Sequence, residues 1–167
     1  MPGLESRLND IWYSSRQPPL LLRILEHGYA GVTRRRNTVS TEILPIPLVV
    51  IGNFTVGGTG KTPLIVSIVE HLQRIGRKPG VISRGYGRTG KSAYALSGKS
   101  SAEQSGDEPL LIYRRTKAPV QVDSDRFAAA KKLISDGCDV IISDDGLQHH
   151  RLPRQLEIEV FDALRGY

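Results

Sequence analysis

The chain has 167 residues, of which 39% are hydrophobic and 24% are charged, with a formal net charge of +6. This length suits one domain with a hydrophobic core and is short for two, and the composition excludes a disordered or collagen-like chain. The positive charge favours an anionic partner. The single cysteine, Cys138, excludes an intrachain disulfide and precedes an apolar run, which predicts a buried thiol and is compatible with a reducing, cytoplasmic setting.

The N-terminal segment, residues 1–42, has an apolar stripe followed by a basic cluster. Its first ten residues, MPGLESRLND, lack the apolar core of a secretory signal, and no apolar run reaches the ~20 residues that span a bilayer. Leu21, Ile24 and Leu25 share one helical face, and residues 34–36 are all arginine. The pattern fits an amphipathic helix on an anionic membrane surface, and it fits equally a helix that packs on its own domain.

From residue 43 onward, strand-like and helix-like segments alternate. This predicts an α/β domain over residues 43–167, with a mostly parallel sheet flanked by helices on both faces. Ligands bind such sheets at the carboxyl ends of the strands. Strands are predicted at 47–53, 79–83, 94–96, 119–122, 139–143 and 156–162, and helices at 61–76, 106–116 and 124–137, the last with Ser124 as its N-cap.

A glycine-rich loop, TVGGTGKT, follows the first predicted strand and opens the first helix. Its glycines let backbone amides approach phosphate oxygens, Lys61 reaches the outer phosphates, and Thr62 offers a hydroxyl to Mg²⁺. Thr55 stands where the usual P-loop has its first glycine, so the strict pattern is incomplete. The order of strand, loop and helix still predicts a nucleotide site in a P-loop NTPase-like fold. The predicted nucleotide-binding residues are Thr55, Val56, Gly57, Gly58, Thr59, Gly60, Lys61 and Thr62.

Two carboxylates, Asp144 and Asp145, follow the apolar run CDVIIS. Paired acids at a strand end are often solvated turn residues, but P-loop enzymes hold Mg²⁺ with an acid at this place. With Thr62 they are the predicted metal ligands, and the sequence leaves open which acid contacts the ion. His149 and His150 come soon after, but no cysteine or spaced histidine completes a zinc site with them.

Positive charge is concentrated in the middle of the chain. Between residues 71 and 102 there are seven basic residues and no acidic residue, which exceeds the net excess of the whole chain. Such a run is either a solvated face or a surface that binds an anionic ligand. The basic residues are Arg74, Arg77, Lys78, Arg84, Arg88, Lys91 and Lys99.

Four motifs occur together in this chain: VGGTGKTP, SRGYGR, GDEPLLIYRRT and DDGLQHHRL. In their order and separations the chain resembles the tetraacyldisaccharide 4'-kinases, the lipid A 4'-kinases of Gram-negative bacteria. The resemblance runs from about residue 45 to the last residue and includes the N-terminal apolar and basic segment. Members of that family are much longer, so the chain is expected to be their N-terminal half, with low kinase activity or none alone.

The resemblance implies an ATP-dependent enzyme. It would transfer the γ-phosphate of ATP to the 4'-hydroxyl of a tetraacylated disaccharide 1-phosphate, the lipid A disaccharide precursor, at the cytoplasmic face of the inner membrane. Residues 55–62 would bind ATP, with Lys61 on the β- and γ-phosphates, while Thr62 and the two acids would organise Mg²⁺. A threonine or serine in place of the first loop glycine is a trait of this family, which accounts for Thr55.

The family's catalytic carboxylate lies in the GDEP motif, and the resemblance carries that role to Asp107. Phosphoryl transfer passes through a loose transition state, so the attacking hydroxyl need not lose its proton early. Asp107 would chiefly orient the hydroxyl and accept its proton late, while Lys61 stabilises the charge on the transferring group. Arg84, Arg88 and Lys91 become a candidate surface for the anionic lipid.

Two other interpretations stay open from the residues. A GGxGKT core also occurs in regulatory P-loop ATPases and GTPases, although Val56 stands where their loops commonly carry a second lysine. The positive charge would also suit a noncatalytic module that binds a membrane or a nucleic acid. No aromatic stacking array accompanies the charge, so no nucleic-acid partner is expected.

Overall fold

The computed structural model describes residues 43–53, 60–147 and 152–161. Apart from Phe161, these residues belong to one of the two compact units into which the chain divides, residues 39–160. The predicted N-terminal amphipathic segment, residues 1–42, lies outside the described residues. The predicted division between that segment and a kinase domain at 43–167 therefore stays a prediction.

The described residues form one six-stranded sheet. Its strands are β1 (Leu48–Gly52), β2 (Pro79–Ser83), β3 (Tyr94–Ala95), β4 (Val120–Val122), β5 (Val140–Asp144) and β6 (Leu156–Glu159). They lie in the order β3-β4-β2-β5-β1-β6, and every neighbouring pair is parallel except β3 with β4. The predicted α/β fold with a mostly parallel sheet is confirmed.

Four helices accompany the sheet in this part of the chain: α1 (Lys61–Arg74), α2 (Ala102–Ser105), α3 (Asp107–Thr116) and α4 (Arg126–Ser135). The sequence pattern predicted all of them except α2, whose four residues are too few to show helical periodicity. Within the described ranges, no helix combines the length and the apolar character needed to cross a bilayer.

The predicted N-cap of α4 is wrong by one residue. The carboxylate of Asp125, not the hydroxyl of Ser124, accepts hydrogen bonds from the backbone amides of Phe127 and Ala128, at 3.1 and 3.0 Å. An N-cap side chain must reach the second and third amides of its helix, and α4 begins at Arg126. Asp125 is the residue at the required distance along the chain.

Two hydrophobic clusters cover the two faces of the sheet. Ile142 belongs to the cluster that includes side chains of α1 and α3, and Ile141 to the cluster that includes those of α4. Each such buried side chain contributes roughly 1.5–3 kcal/mol to folding. Because successive side chains of a strand alternate between faces, Ser143 is directed toward α4 and Asp144 toward α1 and α3.

Cys138 is buried in the cluster that contains α4, with 6% of its surface exposed, as predicted. Gly80 of β2 passes so close that a Cβ at this position would lie 2.8 Å from the Cys138 sulfur. Burial raises the pKa of the thiol, and the charges of Asp136 and Asp139 raise it further. Cys138 therefore packs as a neutral core group.

Candidate nucleotide and metal site

The carboxyl ends of β1 and β5 lie side by side, with Ile51 opposite Asp144 in the parallel register. The chain leaves β1 toward the glycine-rich loop, and it leaves β5 at the two predicted metal-binding acids. The end of β1 and these acids therefore lie at one edge of the sheet. Five of the predicted nucleotide-binding residues lie outside the described residues: Thr55, Val56, Gly57, Gly58 and Thr59.

The described part of the loop ends at the N-terminus of α1. Gly60 has a φ of 80°, a left-handed conformation that glycine adopts without strain, and Lys61 is the first helical residue. Within the described residues no side chain caps this 14-residue helix. Its first-turn amides, together with the positive end of the helix dipole, suit an anion such as a phosphate group. Thr62 lies half-buried in the same turn.

Lys61 forms an ion pair with Asp145 across this edge. The distance from Lys61 Nζ to Asp145 Oδ1 is 2.9 Å, and the side chains are 13% and 64% exposed. Asp145 has a φ of 54°, in the left-handed region, so β5 ends at the preceding residue, Asp144. The predicted phosphate-binding lysine and one of the predicted metal ligands are thus in direct contact.

Asp144 has a different environment, since only 1% of its surface is exposed. Its Oδ2 accepts a hydrogen bond from Ser83 Oγ at 3.0 Å, while its Oδ1 meets no partner within the described residues. Burial raises its pKa to about 6, with the charge of Glu108 adding to the rise, Lys61 and Ser83 opposing it, and Asp145 adding slightly. A buried carboxylate with an unpaired oxygen is a group that a cation would stabilise.

The residues present fit Mg²⁺ on this observation. The hydroxyl of Thr62 and the carboxylates of Asp144 and Asp145 are oxygen donors of the kind that Mg²⁺ prefers. Among the described residues no cluster of three or more His, Cys, Asp or Glu could hold a metal ion by itself. Mg²⁺ commonly takes one or two carboxylates and completes its shell with water and phosphate oxygens, so this donor set is sufficient. His149 and His150 lie outside the described residues.

The N-terminus of α3 approaches the same edge. A Cβ added to Gly106 would lie 2.8 Å from the carbonyl oxygen of Tyr86, so the start of α3 packs against the loop that follows β2. Asp107 and Glu108 are both exposed in the first turn, and the charge of Glu108 acts on Asp144. Among the described residues no hydrogen bond joins Asp107 to Lys61, Asp144 or Asp145.

The three predicted substrate residues differ in their environment. Arg84 and Lys91 are exposed, whereas Arg88 is half-buried and donates from Nη1 to the carbonyl oxygen of Ser92 at 2.8 Å. Arg88 therefore stabilises the loop itself. The charge of Arg84 also acts on Arg126, so this arginine lies toward the site.

Sequence reasoning missed several residues that this site contains. Ser83 had a weak signal, since it is a polar residue at the carboxyl end of the apolar strand PGVIS. Arg126 had none, because nothing in the spacing connects residue 126 with residues 143 to 145. It is 4% exposed, and its Nη1 donates to Ser143 Oγ at 3.1 Å and to the carbonyl oxygen of Asp144 at 2.7 Å. Burial lowers its pKa, the charges of both acids raise it and that of Arg84 lowers it.

Comparison with known proteins decides the family. The family model described as Tetraacyldisaccharide-1-P 4'-kinase matches residues 19–167. The chain belongs to the tetraacyldisaccharide 4'-kinase family. The resemblance inferred from the four sequence motifs is thereby confirmed.

Two relatives within the tetraacyldisaccharide 4'-kinase family show how much of the family this chain covers. The tetraacyldisaccharide 4'-kinase of Stenotrophomonas maltophilia (strain R551-3) is 49% identical in an alignment that covers 100% of this chain and 51% of that protein. That of Alkalilimnicola ehrlichii is 47% identical in an alignment that covers 96% of this chain and 51% of that protein. The chain spans about half the length of the curated relatives it matches.

A solved structure supports the fold. The chain is similar to the "apo" form of LpxK from Aquifex aeolicus, crystallised in complex with ATP, with 30% sequence identity and a TM-score of 0.69. The match covers 79% of this chain and 43% of that one. The P-loop kinase architecture expected for a tetraacyldisaccharide 4'-kinase is therefore present in the described residues.

Proposed function

We propose that this chain is the nucleotide-binding part of an ATP-dependent tetraacyldisaccharide 4'-kinase in lipid A biosynthesis. The observation that carries the proposal is the contact between Lys61 and Asp145 at the N-terminus of α1, next to Asp144, whose Oδ1 has no partner among the described residues. Family membership and the ATP bound to the Aquifex aeolicus relative support it. The substrates are ATP and the lipid A disaccharide precursor, a tetraacyldisaccharide 1-phosphate.

The loop amides at 55–60 and the N-terminus of α1 bind the phosphate chain of ATP. Lys61 contacts the β- and γ-phosphates, because it is the first residue of α1 and directly follows the loop. When ATP binds, the ammonium group of Lys61 breaks its ion pair with Asp145 and contacts phosphate oxygens, which carry more negative charge. The released carboxylate is then free to act as a ligand.

Thr62, Asp144 and Asp145 are the residues that would hold Mg²⁺, which when bound neutralises charge that develops on the phosphate oxygens. Asp144 supplies a fixed oxygen, since Ser83 holds its other carboxylate oxygen in place. Asp145 would supply an exposed one, since 64% of its side-chain surface is exposed. The two acids would therefore offer the ion one buried and one exposed carboxylate.

Asp107 is the proposed partner of the acceptor hydroxyl. The 4'-oxygen forms a bond to the γ-phosphorus as the bond from that phosphorus to the β–γ bridging oxygen breaks, and ADP leaves. The hydroxyl proton passes to the Asp107 carboxylate, late in the reaction. Asp107 is exposed in the first turn of α3, next to Glu108, whose charge acts on Asp144, and this exposure suits a group that contacts the second substrate. Lys61 stabilises the transferring phosphoryl group.

The lipid substrate suggests where the protein works. Arg84, Arg88 and Lys91 are proposed to face the anionic lipid or the headgroups around it, with Arg84 and Lys91 exposed for that purpose. The apolar and basic segment at 1–42 is proposed to lie on the cytoplasmic surface of the inner membrane as a peripheral anchor. No nucleic-acid partner is proposed.

Transfer of labelled phosphate tests the proposal. The chain is incubated with γ-labelled ATP, Mg²⁺ and the lipid A disaccharide precursor, with the full-length Stenotrophomonas maltophilia relative as the positive control. We expect calorimetry to show Mg-ATP binding by the chain, and little or no transfer by the chain alone. Any label in the lipid is expected to disappear in Lys61→Ala and in Asp107→Asn, while Asp107→Asn keeps its ATP affinity.

Three results would contradict this function. No heat of binding with Mg-ATP would remove the nucleotide site. Label in the lipid that survives both substitutions would remove the assigned residues. Stimulated ATP hydrolysis without a labelled lipid product, under conditions where the relative is active, would indicate a regulatory P-loop ATPase.

A further inference from the structure

Four consecutive main-chain carbonyls at the end of β5 accept hydrogen bonds from two arginines. Arg126 donates from Nη1 to the carbonyl oxygen of Asp144 at 2.7 Å and from Nη2 to that of Asp145 at 3.3 Å. Arg154 donates from Nη1 to the carbonyl oxygens of Gly146 and Leu147, at 3.1 and 3.3 Å. Every carbonyl from residue 144 to residue 147 is therefore bonded to a guanidinium group.

The two arginines reach this segment from different parts of the fold. Arg126 is the first residue of α4, whose N-terminus the Asp125 carboxylate caps, and the arginine is 4% exposed. Arg154 lies just before β6, and its side chain is 14% exposed and pairs with Glu157. The position of each arginine is thus fixed by its own surroundings, Arg126 by the capped helix and Arg154 by its ion pair. A guanidinium is a planar fork with several donors, so it fixes the direction of the carbonyls that it contacts.

The choice of acceptor matters for the chemistry of this edge. Arg126 binds Ser143 Oγ and two carbonyl oxygens, and it forms no hydrogen bond with either acidic side chain. A guanidinium on the carboxylates would neutralise them and compete with a metal ion. Bonded to the carbonyls, it fixes the backbone. Asp144 Oδ1 then keeps no partner among the described residues, and the exposed Asp145 carboxylate pairs with Lys61 instead of with an arginine.

This arrangement also accounts for the backbone at Asp145. A φ of 54° is uncommon for a residue with a Cβ, and it persists only where the surroundings determine it. The carbonyls on both sides of this turn are the ones that the arginines bind. Among the described residues Arg126 Nε has no partner, so the buried arginine is retained at a cost in desolvation. Such a cost is commonly tolerated where a group acts on a functional site.

We propose that Arg126 and Arg154 form an arginine clamp on residues 144–147, and that both are positioning residues for the metal-binding acids. The inference rests on the proposed function, because it assigns Asp144 and Asp145 to Mg²⁺. The clamp acts through the backbone, without contact to nucleotide or metal. Arg126 holds the acids themselves, and Arg154 holds the turn that follows.

The test compares Arg126→Lys, Arg154→Lys and a matched control, Arg77→Lys. Arg77 also donates to a main-chain carbonyl, that of Asp139 at 3.2 Å, but at the opposite end of β5. Calorimetry measures ATP affinity with and without Mg²⁺. The ratio of the ATP affinity with Mg²⁺ to that without it measures the contribution of the ion. In Arg126→Lys we expect this ratio to fall by about 10-fold or more, while the ATP affinity without Mg²⁺ stays within about twofold of the original. The control changes neither.

Amide hydrogen exchange gives a second readout that needs no nucleotide. A lysine lacks the fork, so the amides of residues 145–147 should exchange about tenfold faster or more in Arg126→Lys and in Arg154→Lys, with β2 and α4 protected as before. Arg77→Lys should not alter those amides. If Arg126→Lys does not fold, Arg154→Lys decides the same question from the other side of the turn.

The outcomes separate the clamp from the proposed function. Unchanged exchange at residues 145–147, or an equal loss of ATP affinity with and without Mg²⁺, would overturn the clamp. A loss in Arg77→Lys equal to that in Arg126→Lys would do the same. Absence of Mg-ATP binding in the unaltered chain would overturn the proposed function instead, and the exchange data would still support or reject the clamp.

Discussion

Lys61 Nζ lies 2.9 Å from Asp145 Oδ1, although 84 positions of the sequence separate the two residues. The contact joins the first residue of α1 to the turn after β5 across one edge of the sheet. It shows that the ammonium group and the exposed carboxylate occupy the same small region. If a triphosphate and a divalent cation bind there, the ion pair is replaced by contacts of Lys61 with phosphate oxygens and of Asp145 with the cation.

Removal of the Lys61 ammonium group should weaken nucleotide binding. We expect Lys61→Met to lower Mg-ATP affinity by about 10- to 100-fold, the range expected for charge-assisted hydrogen bonds. Isothermal titration calorimetry gives the affinity. Lys132→Met is the control, since it breaks another lysine–aspartate ion pair, which joins Lys132 of α4 to Asp136, the residue that follows this helix. Equal affinities for the two variants would contradict the role of Lys61.

The raised pKa of Asp144 makes stability depend on pH when no divalent cation is present. Its pKa rises from 3.8 to about 6 in the folded chain, so the folded state binds the proton more tightly than the unfolded state. The free energy of unfolding should therefore be larger by about 3 kcal/mol below pH 3.8 than above pH 6, from this group alone. The gain is lost as the pH rises through 6.

Urea denaturation at pH 4 to 7 in EDTA measures this effect. Asp144→Asn should remove the difference of about 3 kcal/mol and should stabilise the chain at pH 7. Asp145→Asn is the matched control, because that side chain is 64% exposed and should leave most of the pH dependence in place. The same pH dependence in Asp144→Asn as in the original chain would show that another group causes it.

Binding of a divalent cation requires the ionised form of Asp144. The affinity gained from Mg²⁺ should therefore be nearly constant above pH 6 and should fall by about tenfold per pH unit below it. Calorimetry with ATP at pH 5, 6 and 7, with and without Mg²⁺, checks this. A Mg²⁺ effect that stays constant down to pH 5 would mean that Asp144 is not a ligand.

Gly85 lies in the loop between β2 and β3, where this loop packs against Val122 of β4 and the end of α2. Its φ is 70°, and a Cβ there would lie 2.4 Å from Val122 Cγ1 and 2.7 Å from the carbonyl oxygen of Ser105. We expect Gly85→Ala to destabilise the chain by about 1–3 kcal/mol more than Gly76→Ala. Gly76 has a similar φ of 81° with no atom near its Cβ position, so it reports backbone strain alone. Denaturation curves with equal midpoints would refute the steric argument.

The exposed basic residues of the loop after β2 should bind anionic lipid. Arg84→Glu with Lys91→Glu is expected to lower the apparent affinity for the lipid substrate in mixed micelles by about tenfold or more at low salt. Salt should reduce the difference, since the groups are exposed. Arg74→Glu with Lys78→Glu makes the same change in charge at the opposite edge of the sheet and serves as the control. An equal loss in both pairs would indicate a nonspecific charge effect.

Much of the fold followed from local patterns. Alternating apolar segments located all the described strands and three of the four described helices, because strand and helix periodicity are local properties. The local rules failed to distinguish two adjacent candidates for an N-cap, Ser124 and Asp125. They also missed α2, which is too short to show helical periodicity. The acids Asp144 and Asp145 were located correctly, but the strand runs through Asp144, so the first acid is a buried strand residue and not part of the turn.

By itself the sequence determined the order of the elements, the place of the paired acids at the end of a strand and the family, and it predicted a phosphate-binding role for the glycine-rich loop. Only the tertiary structure decided that Lys61 meets Asp145, that Ser83 and Glu108 act on Asp144, and that Arg126 binds the end of β5. The reason is physical: hydrogen bonds, burial and the pKa of a carboxyl group depend on residues that parallel strand pairing brings together from distant positions. Spacing along the chain carries no record of those distances.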